Sequence, residues 1–381
     1  MYSVLDYGRM AADGVRMDAY ARAIARAVKP GSVVLDLGCG TGIFSLLAVR
    51  AGARHVYAVD VNPAVWLIPE LAAENGCADR VTIHHGSSTE LELPEKVDVI
   101  VSDMRGTSPL NGDHVSAVRD ARTRWLKPGG TLIPGRDRLF VQVVESEDLA
   151  LRLQRGWQSF EKRGLSCKAA RASILNALYD DRQAPLLASD LLSGAGEWSS
   201  LDYASYDGKA LEGTVDLEVT RGGTAHGLTV WFEAEVFEDI AYRSAPGWSL
   251  AYARCYLPLL EPVLLTAGDH ARITMRADAR GSRWAWETTL TAADGTARAR
   301  FRQSTFFGAP TGPDALLRSS ATHRPVPGPK GERLRTLLAA MDGQHTVSEL
   351  VQTVESTLPA HSPLRGQLVE EVRDAITCYA R

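Results

Sequence analysis

The run Val33-Val34-Leu35-Asp36-Leu37-Gly38-Cys39-Gly40-Thr41-Gly42 constrains the fold more than any other stretch of the 381 residues. Four apolar residues bracket one acid, three glycines follow at alternate positions, and the apolar run Ile43 to Val49 comes next. Such a pattern reads as a buried parallel strand, a tight loop and the start of a helix. Glycine permits positive φ and lets a ligand lie against bare backbone. A plain strand-to-helix turn would use the same residues, so context must decide between the two. The next apolar strand, His55-Val56-Tyr57-Ala58-Val59, ends on Asp60. An acid at that point can take both hydroxyls of a ribose.

The loop is Gly-x-Gly-x-Gly after an Asp, which departs from the dinucleotide fingerprint. It resembles the motif of class I S-adenosylmethionine (SAM) methyltransferases. That resemblance implies a SAM pocket drawing on Asp36, Gly38, Cys39, Gly40, Gly42, Asp60 and Val61. The glycines would face the methionine part and Asp60 the ribose.

Composition narrows the class. A formal net charge of −4 makes no electrostatic case for nucleic acid or a membrane surface. The cysteines, Cys39, Cys77, Cys167, Cys255 and Cys378, are scattered without a CxxC pair, so no metal site or disulfide framework follows. There is no charged-then-apolar signal pattern at the N-terminus and no apolar run of about eighteen residues. A cytoplasmic protein is expected.

Taken in order, Met1 to Lys29 reads as helical and Arg16 falls within it. A helix placed before the first strand could cover the pocket, with Arg16 on the methionine carboxylate by a bidentate contact. Spacing alone equally allows a solvated arginine. Val81-Thr82-Ile83 and Val97-Asp98-Val99-Ile100-Val101 read as further strands. Ser88 and Thr89 follow a strand end, where an adenine is expected. Ligands of an open α/β sheet bind at the carboxyl ends of its strands. Gly38 to Gly42, Asp60, Ser88, Thr89 and Asp103 all fall on that edge, although each acid alone could be a helix cap.

Beyond these motifs the chain resembles the protein arginine methyltransferases (PRMTs). The segments that carry the resemblance are Asp13-Gly14-Val15-Arg16 with Tyr20, Val34-Leu35-Asp36-Leu37-Gly38 onward, and Ala51-Gly52-Ala53-Arg54. Glu92-Leu93-Pro94-Glu95-Lys96-Val97-Asp98 and Trp125-Leu126-Lys127-Pro128-Gly129-Gly130 match as well. The resemblance covers roughly residues 5–308 and implies a Rossmann-like SAM domain, then a β-barrel domain with a helical arm that makes a dimer. The expected division is a helical cap at 1–30, a SAM-binding domain at 31–134 and a β-barrel-like substrate domain at 135–310. The arm occupies about 147–207. Strands are predicted at Thr214 to Thr220, Gly227 to Phe237, Leu250 to Leu257, Ala271 to Ala277, Arg283 to Ala292 and Ala297 to Phe306, with hairpin chemistry at Arg221-Gly222-Gly223-Thr224.

The family grips a substrate guanidinium with two glutamates on the loop after the fourth strand. Here the first position is the shorter Asp103 and the second is Gly112, with Asp113 beside it. Met104 and Arg105 replace a tryptophan and a methionine, and the barrel segment aligns with Leu250-Ala251-Tyr252. A buried guanidinium needs matched carboxylates. Arg105 instead suits a substrate carboxylate by a two-pronged bond. Asp103 is expected to orient the acceptor or act as general base. Tyr7, Met10, Met104, Arg105, Asp113 and Tyr252 are expected to face the substrate.

Residues 311–330 have linker composition, with Pro313, Pro325, Pro327 and Pro329. Residues 331–381 read as three helices, the second opened by the capping box Thr346-Val347-Ser348-Glu349. Asp-Gly-x-x-Thr-Val-x-Glu-Leu here is similar to the winged-helix module of PqqD-like peptide-recognition domains, which bind leaders of ribosomally made natural-product peptides. A packing appendage or dimer element is the alternative. The leading expectation is a SAM-dependent methyltransferase acting on such a precursor peptide at a non-arginine N or O acceptor. A protein arginine N-methyltransferase and a SAM-binding regulatory protein without transfer activity are the alternatives, and a homodimer is compatible with each.

Overall fold

The computed structural model describes residues 2–110, 112–278, 281–359 and 362–380. The expected single N-terminal helix is two, α1 (Val4–Ala11) and α2 (Gly14–Ala27). Asp13 divides them, because its carboxylate accepts the Arg16 N–H and caps α2. A parallel α/β region follows: β1 (Val33–Leu37), α3 (Ile43–Arg50), β2 (His55–Asp60), α4 (Ile68–Glu74), β3 (Val81–His85), β4 (Val97–Ser102), α5 (His114–Trp125) and β5 (Leu126–Ile133). The strands pair in the order β3-β2-β1-β4-β5. All β1 side chains are buried, as a central strand covered on both faces requires. The order reverses beside β1, so the crevice at its carboxyl end is where such a sheet takes a ligand.

The chain then enters antiparallel structure: β6 (Arg136–Val144), α6 (Glu147–Glu161), α7 (Lys168–Ile174), β7 (Tyr179–Asp180), β8 (Gly196–Asp202), β9 (Leu211–Glu218) and β10 (Gly223–Phe237). β11 (Ile240–Arg243), β12 (Cys255–Leu265), β13 (His270–Ala277), β14 (Trp284–Thr291), β15 (Ala297–Ser304) and α8 (Thr305–Gly308) complete it. One sheet runs β7-β12-β10-β6-β8 with β11 on β10, and a second runs β15-β14-β13-β9. Strict alternation of buried and exposed residues along β13 matches its half-buried face. Two expectations fail here. The arm was expected to reach about 207, yet Gly196–Asp202 is a strand paired with β6. Arg221 to Thr224 is no hairpin, because β9 and β10 belong to different sheets. The glycines there serve a crossing between layers.

Residues Met1–Pro310 form one unit and Thr311–Arg381 a second. The second holds α9 (Pro313–Arg318), α10 (Pro329–Ala340), α11 (Val347–Ser356) and α12 (Leu368–Tyr379). Leu337, Leu350, Val354, Leu368, Val372 and Ala375 are its core. Thr346 and Glu349 make the reciprocal capping box at the start of α11. Among the described residues this unit is helical and has no strand pair, so the wing that defines a winged helix is not found. Among the described residues no helix is long and apolar enough to cross a membrane.

Candidate active site

Gly38, Gly40 and Gly42 all have positive φ, of 75°, 54° and 79°. Their lack of a side chain also matters sterically. A Cβ on Gly38 would stand 2.2 Å from Met104 Cγ, and one on Gly40 would stand 2.3 Å from the Tyr7 ring. The loop therefore presents bare backbone toward two side chains from other elements. The loop is held to β2 from both ends: Gly38 and Cys39 donate to the Val59 carbonyl, and Gly40 N–H donates to Asp60 Oδ2 at 2.7 Å. Asn62 N–H takes Asp60 Oδ1 at 2.7 Å.

A cavity of about 450 Å³ opens along this edge. Its lining includes Tyr7, Met10, Arg16, Gly38, Asp60, Val61, Asp103, Met104, Arg105 and Tyr252. That volume lies within the ~300–1,000 Å³ of small-molecule sites. Cys39 lines a smaller adjoining cavity that shares Tyr7, Met10, Arg16, Gly38 and Asp103. Gly42 supports the loop by opening α3, with Ile68 packed where its side chain would be.

Gly40 and Gly42 line neither cavity, and four further expected positions lie elsewhere. Asp36 is fully buried beneath the loop, bonded to Ser45 Oγ at 2.6 Å, and reaches neither cavity. Burial pushes its carboxyl up to about 7. Ser88 and Thr89 form a short turn outside the lining, and the Ser88 carbonyl accepts from Arg124. Asp113 stands exposed at the N-terminus of α5, also outside it.

The largest departure concerns Asp103 and Arg105. Asp103 Oδ2 accepts from Arg16 Nη1 at 2.6 Å, and Oδ1 accepts from Arg105 Nη1 at 3.0 Å. The Tyr252 hydroxyl lies 2.5 Å from both oxygens. Three donors, Arg16, Arg105 and the single Tyr252 O–H, thus hold Asp103, against the roughly four lone-pair positions a carboxylate offers. Burial works to raise its carboxyl, but Arg16 and Arg105 outweigh that and hold it below the ordinary value. A carboxylate so held is a weak base.

Arg105 is completely buried. Its Nε donates to Asp137 Oδ2 at 2.8 Å, and Nη1 also reaches the hydroxyls of Tyr20 and Tyr242. Phe232 and Tyr242 flank its guanidinium. The expected two-pronged grip on a substrate carboxylate does not fit this placement, because two carboxylates of the protein already hold the fork. Asp137 in turn accepts from the Tyr203 hydroxyl at 2.5 Å, and Tyr203 meets His114 Nε2 at 3.0 Å. Burial leaves His114 neutral, its pKa lowered to about 3.

Sequence reading missed Asp137, Tyr203, Tyr242 and His114. For Asp137 a signal existed. It stands in phase with Leu139, Val141 and Val143 on β6, all buried, so the two-residue period already placed an acid on the core face.

Whether SAM fits can be asked of the geometry. Arg16 Nε is buried without a partner while its Nη atoms meet Asp103 and the Met10 carbonyl. An unmatched buried donor on the cavity wall suits a carboxylate. At the far side, Asp60 lines the cavity next to the glycine backbone. A carboxylate-seeking cation, a bare glycine wall and a diol-accepting acid are three contacts that suit an amino-acid nucleoside. The residues fit the group.

Comparison with known proteins agrees with this geometry. A family model described as a methyltransferase domain matches residues 34–130. Protein arginine N-methyltransferase 6 of Xenopus tropicalis is 31% identical over 230 residues, covering 58% of this chain and 68% of the relative. The protein of that name in Danio rerio is 33% identical over 233 residues, covering 58% and 66%. A probable protein arginine N-methyltransferase 6 of Arabidopsis thaliana is 38% identical over 141 residues, but only 32% of its length is spanned. The chain thus spans between about a third and two thirds of these curated relatives. Among solved structures, Arabidopsis thaliana protein arginine methyltransferase 10 aligns with a TM-score of 0.67 at 21% identity, over 79% of this chain and 97% of that one. The Trypanosoma brucei PRMT1 enzyme-prozyme heterotetrameric complex with AdoHcy gives 0.64 at 23%, over 78% and 97%. At such identities the structures speak to the fold alone.

Proposed function

Because the chain belongs to the protein arginine N-methyltransferase family, we propose that it is a SAM-dependent methyltransferase whose acceptor lies on a peptide or protein. The observation that carries this reading is the convergence of Arg16, Gly38 and Asp60 on one cavity, with Cys39 and Thr41 lining the one beside it. Arg16 would hold the methionine carboxylate, the glycines would admit the chain of the donor, and Asp60 would take the ribose. When bound, SAM supplies a methyl group on a charged sulfonium, so the donor carries the difficult part of the chemistry. The protein's share is to align the acceptor lone pair and exclude water. Met104 and Tyr7 close over the loop, and Tyr252 with Asp103 walls the acceptor side.

The names of the relatives favour an arginine acceptor. One observation favours another acceptor: Arg105, an internal guanidinium, already sits against Asp103, and Gly112 offers no second carboxylate. On that second reading the substrate is a ribosomally made precursor peptide, with residues 331–381 holding its leader. Dimer formation through the α6–α7 arm is supported by its exposed Trp157, Phe160 and Leu165.

Calorimetry with SAM, followed by transfer of labelled methyl to peptides, tests the reading. Binding with an Arg16→Ala loss of about tenfold or more is expected. Binding without transfer to any peptide would instead leave a regulatory SAM-binding protein.

A further inference from the structure

The second unit carries a groove of about 520 Å³, a volume within the ~300–1,000 Å³ of ligand sites. Leu334 of α10, Ala375 of α12 and Leu364 from the turn before α12 give it apolar surface. Tyr379, the last residue of α12, also lines it and is 60% exposed. Apart from Ala375, the buried core of the unit lies outside that lining. The groove is thus apolar surface that the unit's own packing leaves open.

Its charges are unequal. Lys330 and Arg333 line it from α10, and Glu370, Glu371 and Asp374 line it from α12, which leaves one negative charge in excess. Arg333 Nη2 meets Glu371 Oε1 at 3.2 Å, and that pair cancels. Glu370 and Asp374 stand four positions apart, on one face of the helix. Among the described residues neither of them, nor Lys330, has an ion-pair partner. Arg373 lies between the two acids in sequence but off the lining. Arg333 Nε is buried without an acceptor, which a peptide carbonyl would supply. Two free carboxylates and an exposed ring in one groove suit a cationic side chain, which pairs with the acids and with the π face.

We propose that this groove takes a basic segment of the substrate peptide, apart from the residue that accepts the methyl group. A Lys or Arg side chain pairs with Glu370 and Asp374 over Tyr379. A neighbouring apolar side chain covers Leu334, Leu364 and Ala375, and the peptide backbone meets Arg333 Nε. The inference rests on the peptide or protein acceptor proposed above and gives that substrate a second point of attachment. Two attachments on one chain raise the effective concentration of the acceptor at the first unit. These residues act on substrate capture, and none of them touches the reacting atoms.

The test uses the full chain loaded with S-adenosylhomocysteine and two fluorescent peptides, blocked at both ends and free of arginine. One carries a Leu between two Lys, the other a Leu between two Glu. Anisotropy is expected to show the Lys peptide bound about tenfold tighter or more, with binding that falls as salt rises. The double variant Glu370→Lys with Asp374→Lys is expected to lose about tenfold on the Lys peptide while α12 keeps its hydrogen-exchange protection. Tyr379→Ala is expected to lose affinity with no change of charge, and Tyr379→Phe to keep it, since phenylalanine retains the π face. Equal affinity of parent and double variant for the Lys peptide overturns the proposal, and so does a preference for the Glu peptide.

Turnover separates this proposal from the reading beneath it. Labelled methyl transfer is followed on peptides of mixed sequence with and without a Lys-Leu-Lys extension. The double variant is expected to raise KM for the extended peptides about tenfold and to leave kcat and the unextended peptides unchanged. A KM for the extended peptides that the double variant does not move overturns the proposal. No transfer to any peptide, with the Lys peptide still bound through Glu370 and Asp374, overturns the methyltransferase reading and upholds the groove.

Discussion

Arg105 Nε donates to Asp137 Oδ2 at 2.8 Å with both side chains fully buried, joining the loop after β4 to the first strand of the antiparallel region. Removing one partner strands the other charge in the interior. Arg105→Ala or Asp137→Ala is expected to cost about 3–5 kcal/mol, and the double variant Arg105→Met with Asp137→Ala to recover most of it. Tryptophan fluorescence in a denaturant titration reads this cleanly, since all eight tryptophans lie before residue 311. Equal losses in the single and double variants would contradict the pairing.

Gly40 combines a φ of 54° with a Cβ position 2.3 Å from the Tyr7 ring. Gly40→Ala is expected to destabilise by about 1–2 kcal/mol through the left-handed backbone. It should also weaken SAM binding by displacing Tyr7 into the cavity. Adding Tyr7→Ala relieves the clash but not the backbone cost, so calorimetry and denaturation should separate the two.

Arg16 uses one nitrogen for Asp103 and keeps Nε for a ligand. Lysine retains the charge without the fork. Arg16→Lys is expected to weaken SAM binding by about tenfold while Asp103 stays paired. An unchanged affinity would move the methionine carboxylate elsewhere.

Two buried groups give opposite pH dependences. Asp36 has its pKa raised to about 7 in the folded chain, so its favourable contribution is full below the ordinary value of 3.8 and is lost as pH rises toward 7. His114 is lowered to about 3 from 6.5, so stability is lost as pH falls through that interval. Between about pH 4 and 6.5 the slopes oppose, and the parent curve is flatter than either alone. Asp36→Asn should gain on the parent as pH rises from 4 to 7, and His114→Gln should gain as pH falls from 6.5. Denaturation midpoints across that range check both signs.

The second unit has its own core around Val372, which is fully buried. Thr346→Ala removes the α11 cap and is expected to cost that unit about 1 kcal/mol. Val372→Asp should unfold it outright. Hydrogen exchange over 329–380 is expected to rise while tryptophan fluorescence and SAM affinity hold. Loss of SAM binding in Val372→Asp would show that the two units are coupled.

Much of the local architecture was legible. The strand, the glycine loop, the alternation along β13 and the Thr346–Glu349 box are patterns spanning a few residues, and short-range sterics and hydrogen bonding enforce them. Gly196–Asp202 was not legible as a strand, because its partner is β6, some sixty residues earlier, and its own alternation is weak. The wing expected in the last unit and not found among the described residues has a similar cause. Helix periodicity and capping in 331–381 fit any small helical bundle, so they could not specify a winged one.

The chain by itself pointed to the edge where a nucleoside-bearing ligand would lie, through alternate glycines after a buried strand and an acid ending the next one. Only the tertiary structure decided which charged groups beside the cavity are already engaged. Asp103 and Arg105 are neighbours in sequence, but Asp137 is 32 positions from Arg105 and Tyr252 is 149 from Asp103. Whether a carboxylate is free or a guanidinium already held depends on distances in space at low dielectric. Those distances are set by how the antiparallel sheets close against the loop after β4, and no run of adjacent residues records them.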